Sequence, residues 1–289
     1  MKGFAEYNPV ALAAYFLAAA GVGMLCMEPV ILGISLAGAL LSQAVLGGGS
    51  GRTHLFALAL FLTTALINPL VSHNGRTVLF VMNHNPITLE ALLYGLAAGG
   101  MILSALYWLQ TFSVLMTSDK LLYLFGGLSP KLALVMSMAL RYVPLLSRQA
   151  RKVHQAQLAL GLYREDNLPD SLRGRAREFS VLTTWALENG IITADSMSAR
   201  GYGMGRRSRF ALFSWRMGDV LLAVGSLALA GLALAGASDR GFAFYPEITA
   251  RPLTALGIAG YISYGILVLL PSIIQAKEAI RWRCLRSKI

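Results

Sequence analysis

Six apolar runs, at 10–27, 30–47, 53–71, 89–116, 220–237 and 253–274, constrain this chain more than anything else in it. Each is about the length a helix needs to cross the hydrocarbon core of a bilayer. Lipid offers no water to backbone groups, so segments of this kind must close their own hydrogen bonds as helices. The expected fold class is therefore all-α: a polytopic membrane protein with about six transmembrane helices, plus two long helices on the cytoplasmic side. A hydrophobic share of 56% against 13% charged residues lies well outside the soluble range. Glu28-Pro29 reads as a tight hairpin between the first two runs, and Gly47 to Gly51 as a flexible linker. Asn68-Pro69 is expected to break the third run, and the segment 73–86 to form a polar outer loop. Tyr107 and Trp108 fall near an interface, and Asp119-Lys120 returns the chain to the cytoplasm.

Charge sets the orientation. The net charge is +11, and 13 of the 25 Lys and Arg lie between residues 141 and 216, with five more after Gln275. That clustering is what cytoplasmic segments of a membrane protein carry. It places both termini inside a multi-pass protein of the cell's inner (plasma) membrane, with the loop holding Asp239, Arg240 and Glu247 outside. The first apolar run is read as a retained span. No groove-reading or base-stacking module accompanies the positive charge, which excludes nucleic acid as a partner. Cys26 and Cys284 imply neither a disulfide framework nor a metal site. His54, His73, His84 and His154 share no metal-ligand spacing and read as interfacial or loop residues.

The stretch between the fourth and fifth runs is different in kind. Residues 121–127 are too short to cross. Ser129-Pro130 supplies a helix start, and the pattern then runs from Lys131 to Gly161, with Pro144 as a kink. Its first half (132–146) is apolar and its second half (148–157) strongly polar, so it passes from the interface into water. A span here would push Asp119-Lys120 or the basic segment outside, which charge disfavours. Residues 168–171 read as a linker, 173–177 as a basic turn, and 178–200 as a second helix, apolar on most sides. Such a helix must be covered by lipid, by the first helix or by another protein. Both helices end in Ala-x-Gly: Ala159-Leu160-Gly161 and Ala199-Arg200-Gly201. Glycine there suits a left-handed C-cap. Arg200 then sits at an exposed tip, either favoured by the helix dipole alone or free to meet a partner's carboxylate. These readings divide the chain into membrane helices (1–118), a cytoplasmic or interfacial module (119–217), two further membrane helices (218–275) and a basic tail (276–289).

Catalytic signatures are missing. There is no H-E-x-x-H, no phosphate-loop lysine motif and no G-x-S-x-G elbow. Glu28, Glu90 and Asp219 lie at span ends, where interfacial solvation accounts for them. Glu188 and Asp195 are seven residues apart on one helix face, placed to pair with arginines of the same segment. The chain reads as a coupler, with no catalytic residues and no cofactor of its own.

At DKLLYLFGGLSP (119–130), SMALRYVP (137–144), WALENGIITADSMSARGYG (185–203) and GRRSRF (205–210), the chain resembles the transmembrane T component of energy-coupling factor (ECF) transporters. These are ABC-type importers of vitamins and transition-metal ions. The resemblance implies a scaffold whose two coupling helices each end in an arginine-centred motif that docks on one of two ATP-binding-cassette ATPase subunits. It also implies that the same helices hold a substrate-binding S component. Ala199, Arg200 and Gly201 match the second docking motif. Ala159 and Gly161 match the flanks of the first, where Leu160 replaces the arginine, leaving apolar docking or help from Arg164 as alternatives. Met136, Met138, Leu140, Trp185 and Ile192 are the apolar residues expected to hold the S component. The chain itself would be no enzyme, since ATP hydrolysis would belong to the partners. The alternative class is a stand-alone secondary transporter, which would need inverted repeats and broken helices that are not visible here. The transported substrate is not written in this chain.

Overall fold

The computed structural model describes residues 3–46, 51–72, 75–82, 85–162, 168–205 and 213–286. Arg164, like His73 and His84, lies outside the described residues. The chain divides into two compact units, one of residues 1–121 with 213–289 and one of residues 122–212.

The first unit is a helical bundle. It contains α1 (Pro9–Leu25), α2 (Pro29–Leu46), α3 (Gly51–Val71), a hairpin of β1 (Val78–Met82) and β2 (Asn85–Thr88), then α4 (Leu89–Leu115). Among the described residues, five helices are long and apolar enough to cross a membrane: α2, α3, α4 and the two C-terminal helices, numbered below. The 17-residue α1 is a shorter apolar helix of the same kind. The short α5 (Ser118–Leu128) follows, and α6 (Pro130–Ala159) and α7 (Leu168–Ala199) belong to the second unit. The chain closes the first unit with α8 (Met217–Arg240) and α9 (Ala255–Arg286).

Within the bundle, α1 packs on α8 and α4, α2 on α4 and α9, and α3 along α4. Small residues set several of these contacts, as expected where lipid cannot drive helices together. A side chain on Gly236 would meet the backbone of Gly260 at 2.9 Å, and one on Gly38 would collide with Val268. The core is aromatic: Phe4, Tyr15, Phe16 and Trp108 meet edge to face at 5.2–6.3 Å. Their polar tips are satisfied internally. The Tyr15 hydroxyl donates to the Leu267 carbonyl (3.0 Å), the Tyr264 hydroxyl to Ala19 (3.0 Å), and the Trp108 indole to Ser35 Oγ (3.1 Å).

Several expectations need correction. Glu28, Glu90 and Asp219 are not solvated at an interface but buried, at 2–4% exposure, and each is held by protein partners. Asp219 accepts from the backbone N–H of Arg216 and of Asn8 (both 2.9 Å), capping α8 and fixing the start of α1. Glu28 accepts from the Tyr261 hydroxyl and lies 3.1 Å from the Arg240 guanidinium, which also sits over the Tyr261 ring. Glu90 accepts from the Thr77 backbone and hydroxyl. Asn68-Pro69 does not end α3, which runs on to Val71. Pro69 lies in the last turn, where the Asn68 amide donates to the Ala91 carbonyl (2.8 Å). The loop at 73–86 contains strands: the apolar, β-branched and aromatic run Val78–Met82 pairs antiparallel with residues 85–88. Helix α9 continues through Pro271 into the basic tail as far as Arg286.

Lys120 is buried beside the end of α4. It donates to the carbonyls of Leu115 (2.8 Å) and Ala5 (2.6 Å), satisfying one free helix-end acceptor while burial pushes its pKa down.

Candidate functional site

The second unit is built around the pair α6 and α7. Pro130 is the first residue of α6, with Ser129 extended at the N-cap position, although its side chain makes no capping bond. Pro144 is carried inside the helix. The expected linker at 168–171 and basic turn at 173–177 are instead the opening turns of α7, which starts ten residues earlier than its apolar part. Proline and an acidic residue are both favourable in a first helical turn, and Pro169 and Asp170 stand there.

Two cross-links fix how the helices run. The Tyr142 hydroxyl bonds Thr193 Oγ1 (2.9 Å) and the Asn189 carbonyl (3.4 Å), and His154 Nδ1 lies 2.7 Å from Glu178 Oε1. As α6 advances from 142 to 154, its partner runs back from 193 to 178, so the pair is antiparallel.

The ends of the two helices share one geometry. After Ala159, Leu160 occupies the C-cap, Gly161 is left-handed at φ 65°, and Leu162 donates back to Gln157 (3.1 Å) while Gly161 donates to Leu158 (3.0 Å). After Ala199, Gly201 is left-handed at φ 78°, Tyr202 donates to Met197 (3.0 Å) and Gly201 to Ser198 (3.0 Å). Both are Schellman ends, in which glycine turns the chain and a six-to-one bond satisfies an orphan carbonyl. The Ala-x-Gly pattern therefore places residue x at the cap of each helix. Leu160 is 73% exposed there, and Arg200 is also exposed. Each tip lies six or seven residues beyond the nearer cross-link. At about 1.5 Å per residue the tips stand roughly 40 Å apart, at opposite ends of the pair.

The surroundings differ in chemistry. The Leu160 tip carries Leu158 and Leu162, both exposed, whereas the Arg200 tip carries Tyr202 and Met204. Arg148, Arg151, Lys152, Arg173, Arg175 and Arg177 are all exposed. Glu188 and Asp195 are exposed too, and neither pairs with an arginine among the described residues. His154 is a helix residue bridged to Glu178 rather than a loop residue, and His54, on α3, meets the Tyr107 hydroxyl at 3.1 Å.

The five residues singled out for the S component do not form one face. Met136 and Leu140 are a helical turn apart, but Met138 lies between them, on the opposite side of α6. Met136, Met138 and Trp185 are half-buried, while Leu140 and Ile192 are exposed. A clearer apolar surface runs elsewhere. Leu132, Val135 and Val143 form an exposed stripe on α6 at spacings of three and eleven residues, and Leu172, Phe179, Leu187 and Ile191 line one side of α7. The helical spacing of these residues is readable in the sequence.

The family model for the cobalt transport protein CbiQ matches residues 9–211, more than half the chain. The chain is similar to the energy-coupling factor transporter transmembrane protein EcfT 1 of Listeria monocytogenes, with 36% identity over 106 residues, covering 36% of this chain and 40% of the relative. The EcfT proteins of Listeria innocua and Bacillus selenitireducens are 33% and 36% identical over 104 and 97 residues, covering 35% and 32% of this chain and 39% and 36% of the relatives. The chain thus spans about 40% or less of the length of the curated relatives it matches.

Proposed function

The chain belongs to the CbiQ cobalt transport protein family, and from that premise we propose that it is the transmembrane T component of an ECF-type ABC importer. It is a scaffold and coupler for the uptake of a vitamin or transition-metal ion, and ATP is hydrolysed by its partners. The observation that carries this reading is the matched pair of capped tips, held roughly 40 Å apart on one antiparallel helix pair. One protein with two separated, exposed docking points suits two ATPase subunits, one at each tip.

Arg200, aided by the helix end that presents it, binds carboxylates of one ATPase subunit. Leu160, with Leu158 and Leu162, meets the other through apolar contact. When the ATPases close on nucleotide, the tips are displaced. The Tyr142–Thr193 and His154–Glu178 links make the two helices answer together. The exposed apolar residues of α6 and α7, among them Leu140 and Ile192, hold one S component, which is moved in turn. The basic residues of this unit keep it on the cytoplasmic side of the cell membrane, with both termini on that side.

Purifying the tagged chain from its host tests the whole reading. Two ATPase chains and one small apolar subunit are expected to accompany it. Recovery of the chain alone, active in transport after reconstitution, would replace this reading with a stand-alone transporter.

A further inference from the structure

The bundle of the first unit carries an open groove of about 400 Å³. Leu32 and Leu36 of α2, Phe61 of α3, and Leu93 and Leu96 of α4 line it, together with Phe242, Phe244 and Ile248 of the segment between α8 and α9. Phe244 is itself fixed, edge to face, by Phe242 (4.9 Å) and Tyr94 (5.6 Å). Among the lining residues there is no charged or hydrogen-bonding side chain, so water has nothing to bind. Gly33 and Gly100 widen the groove, since a side chain on either would meet nothing within 4 Å.

We propose that this groove is a phospholipid site, taking one acyl chain along α2 and α4 with the lipid phosphate beside the arginine-bearing segment that contributes Phe242, Phe244 and Ile248 to its lining. Size and charge choose the occupant. A helix of a partner protein, about 10–12 Å across, is too wide for a cavity at the small end of ligand pockets. A polar metabolite would leave its polar groups unpaired against the lining. The polar end supplies cations. Arg76 is exposed and paired with Glu247, next to Ile248. Arg251 is exposed, is tied by its backbone to the Arg240 carbonyl (3.0 Å), and has no ion pair among the described residues. Arg251 Nε lies 3.9 Å from where a side chain on Gly241 would begin, one residue before the lining Phe242, so an apolar slot on membrane-crossing helices with an arginine on the adjoining segment matches an acyl chain and its phosphate. The site is independent of whether the helix tips dock on ATPases.

The test uses the full chain in nanodiscs of phosphatidylcholine doped with phosphatidylglycerol that carries a photoreactive acyl chain. Labelled positions are mapped by mass spectrometry. Label is expected to concentrate on Leu36, Phe61 and Leu96. It should fall about tenfold or more in Gly33→Leu and in Gly100→Leu, which fill the groove while improving helix propensity. Arg251→Gln should reduce labelling by phosphatidylglycerol several-fold, with no change in thermal unfolding. Label spread evenly over α1, α8 and α9, or undiminished in both filled variants, would show ordinary surrounding lipid and overturn the proposal. So would label in the isolated chain that disappears when the S component is present, since the groove would then be a protein interface.

Discussion

Leu160 and Arg200 occupy the same position in the same type of helix end, so their substitution isolates what each side chain contributes. Full burial of a leucine side chain stabilises by about 1.5–3 kcal/mol. Leu160 is 73% exposed in the free chain, so docking can bury about three quarters of it, worth roughly 1–2 kcal/mol. Leu160→Ala should therefore weaken ATPase binding about five- to thirtyfold. Because no charge is removed, that ratio should be the same at low and at high salt. Arg200→Ala should cost about 2–5 kcal/mol at low salt, where an ion pair is least screened, and less as salt rises. The assay is titration of the ATPase pair onto the nanodisc-embedded chain, with binding measured at two ionic strengths. A Leu160→Ala effect that shrinks with salt as steeply as that of Arg200→Ala would refute the apolar assignment. It would point to a neighbouring arginine such as Arg164 as the source of charge at the first tip.

Three other outcomes follow from the structure. Glu28→Ala removes the partner of the nearly buried Arg240 and should destabilise the bundle by about 3–5 kcal/mol, lowering the midpoint of thermal unfolding while ATPase affinity is unchanged. Ile192→Asp places a charge on an exposed apolar position and should release the S component from the purified complex before ATPase binding falls; Met138→Asp, at a half-buried position, should also disturb the packing of α6. A cysteine at Ser171 should resist membrane-impermeant thiol reagents in intact cells while one at Ser238 reacts, and labelling of Ser171 from outside would remove the docking role.

Hydropathy made the bundle legible, because runs of about 20 apolar residues have few alternatives to a membrane helix. Both helix tips were legible as well, since Ala-x-Gly at the end of a helical pattern carries the left-handed residue that a Schellman end requires. Three features were not. The start of α7 is hidden because Pro169 and the arginines at 173–177 read as breaks, although a first turn accepts both proline and charge. Glu28 and Asp219 look solvated because their partners, Arg240 with Tyr261 and the N–H of Asn8, are more than two hundred residues away in the chain. The apolar stripes of α6 and α7 are periodic in sequence. However, which periodic residues face the partner helix depends on the cross-links at Tyr142 and His154.

Site-directed cross-linking from the two tips tests the central claim most directly. Cys26 is buried, so replacing the exposed Cys284 by serine leaves a background into which Leu160→Cys and Arg200→Cys can be placed singly. In membranes containing the assembled transporter, a short thiol-reactive photo-cross-linker at either position should capture an ATPase subunit, while a cysteine at Ser238 captures none. Capture at both tips is predicted, because roughly 40 Å separates two ends of identical geometry. Capture of no ATPase from either tip, in a complex that still transports, would contradict the account.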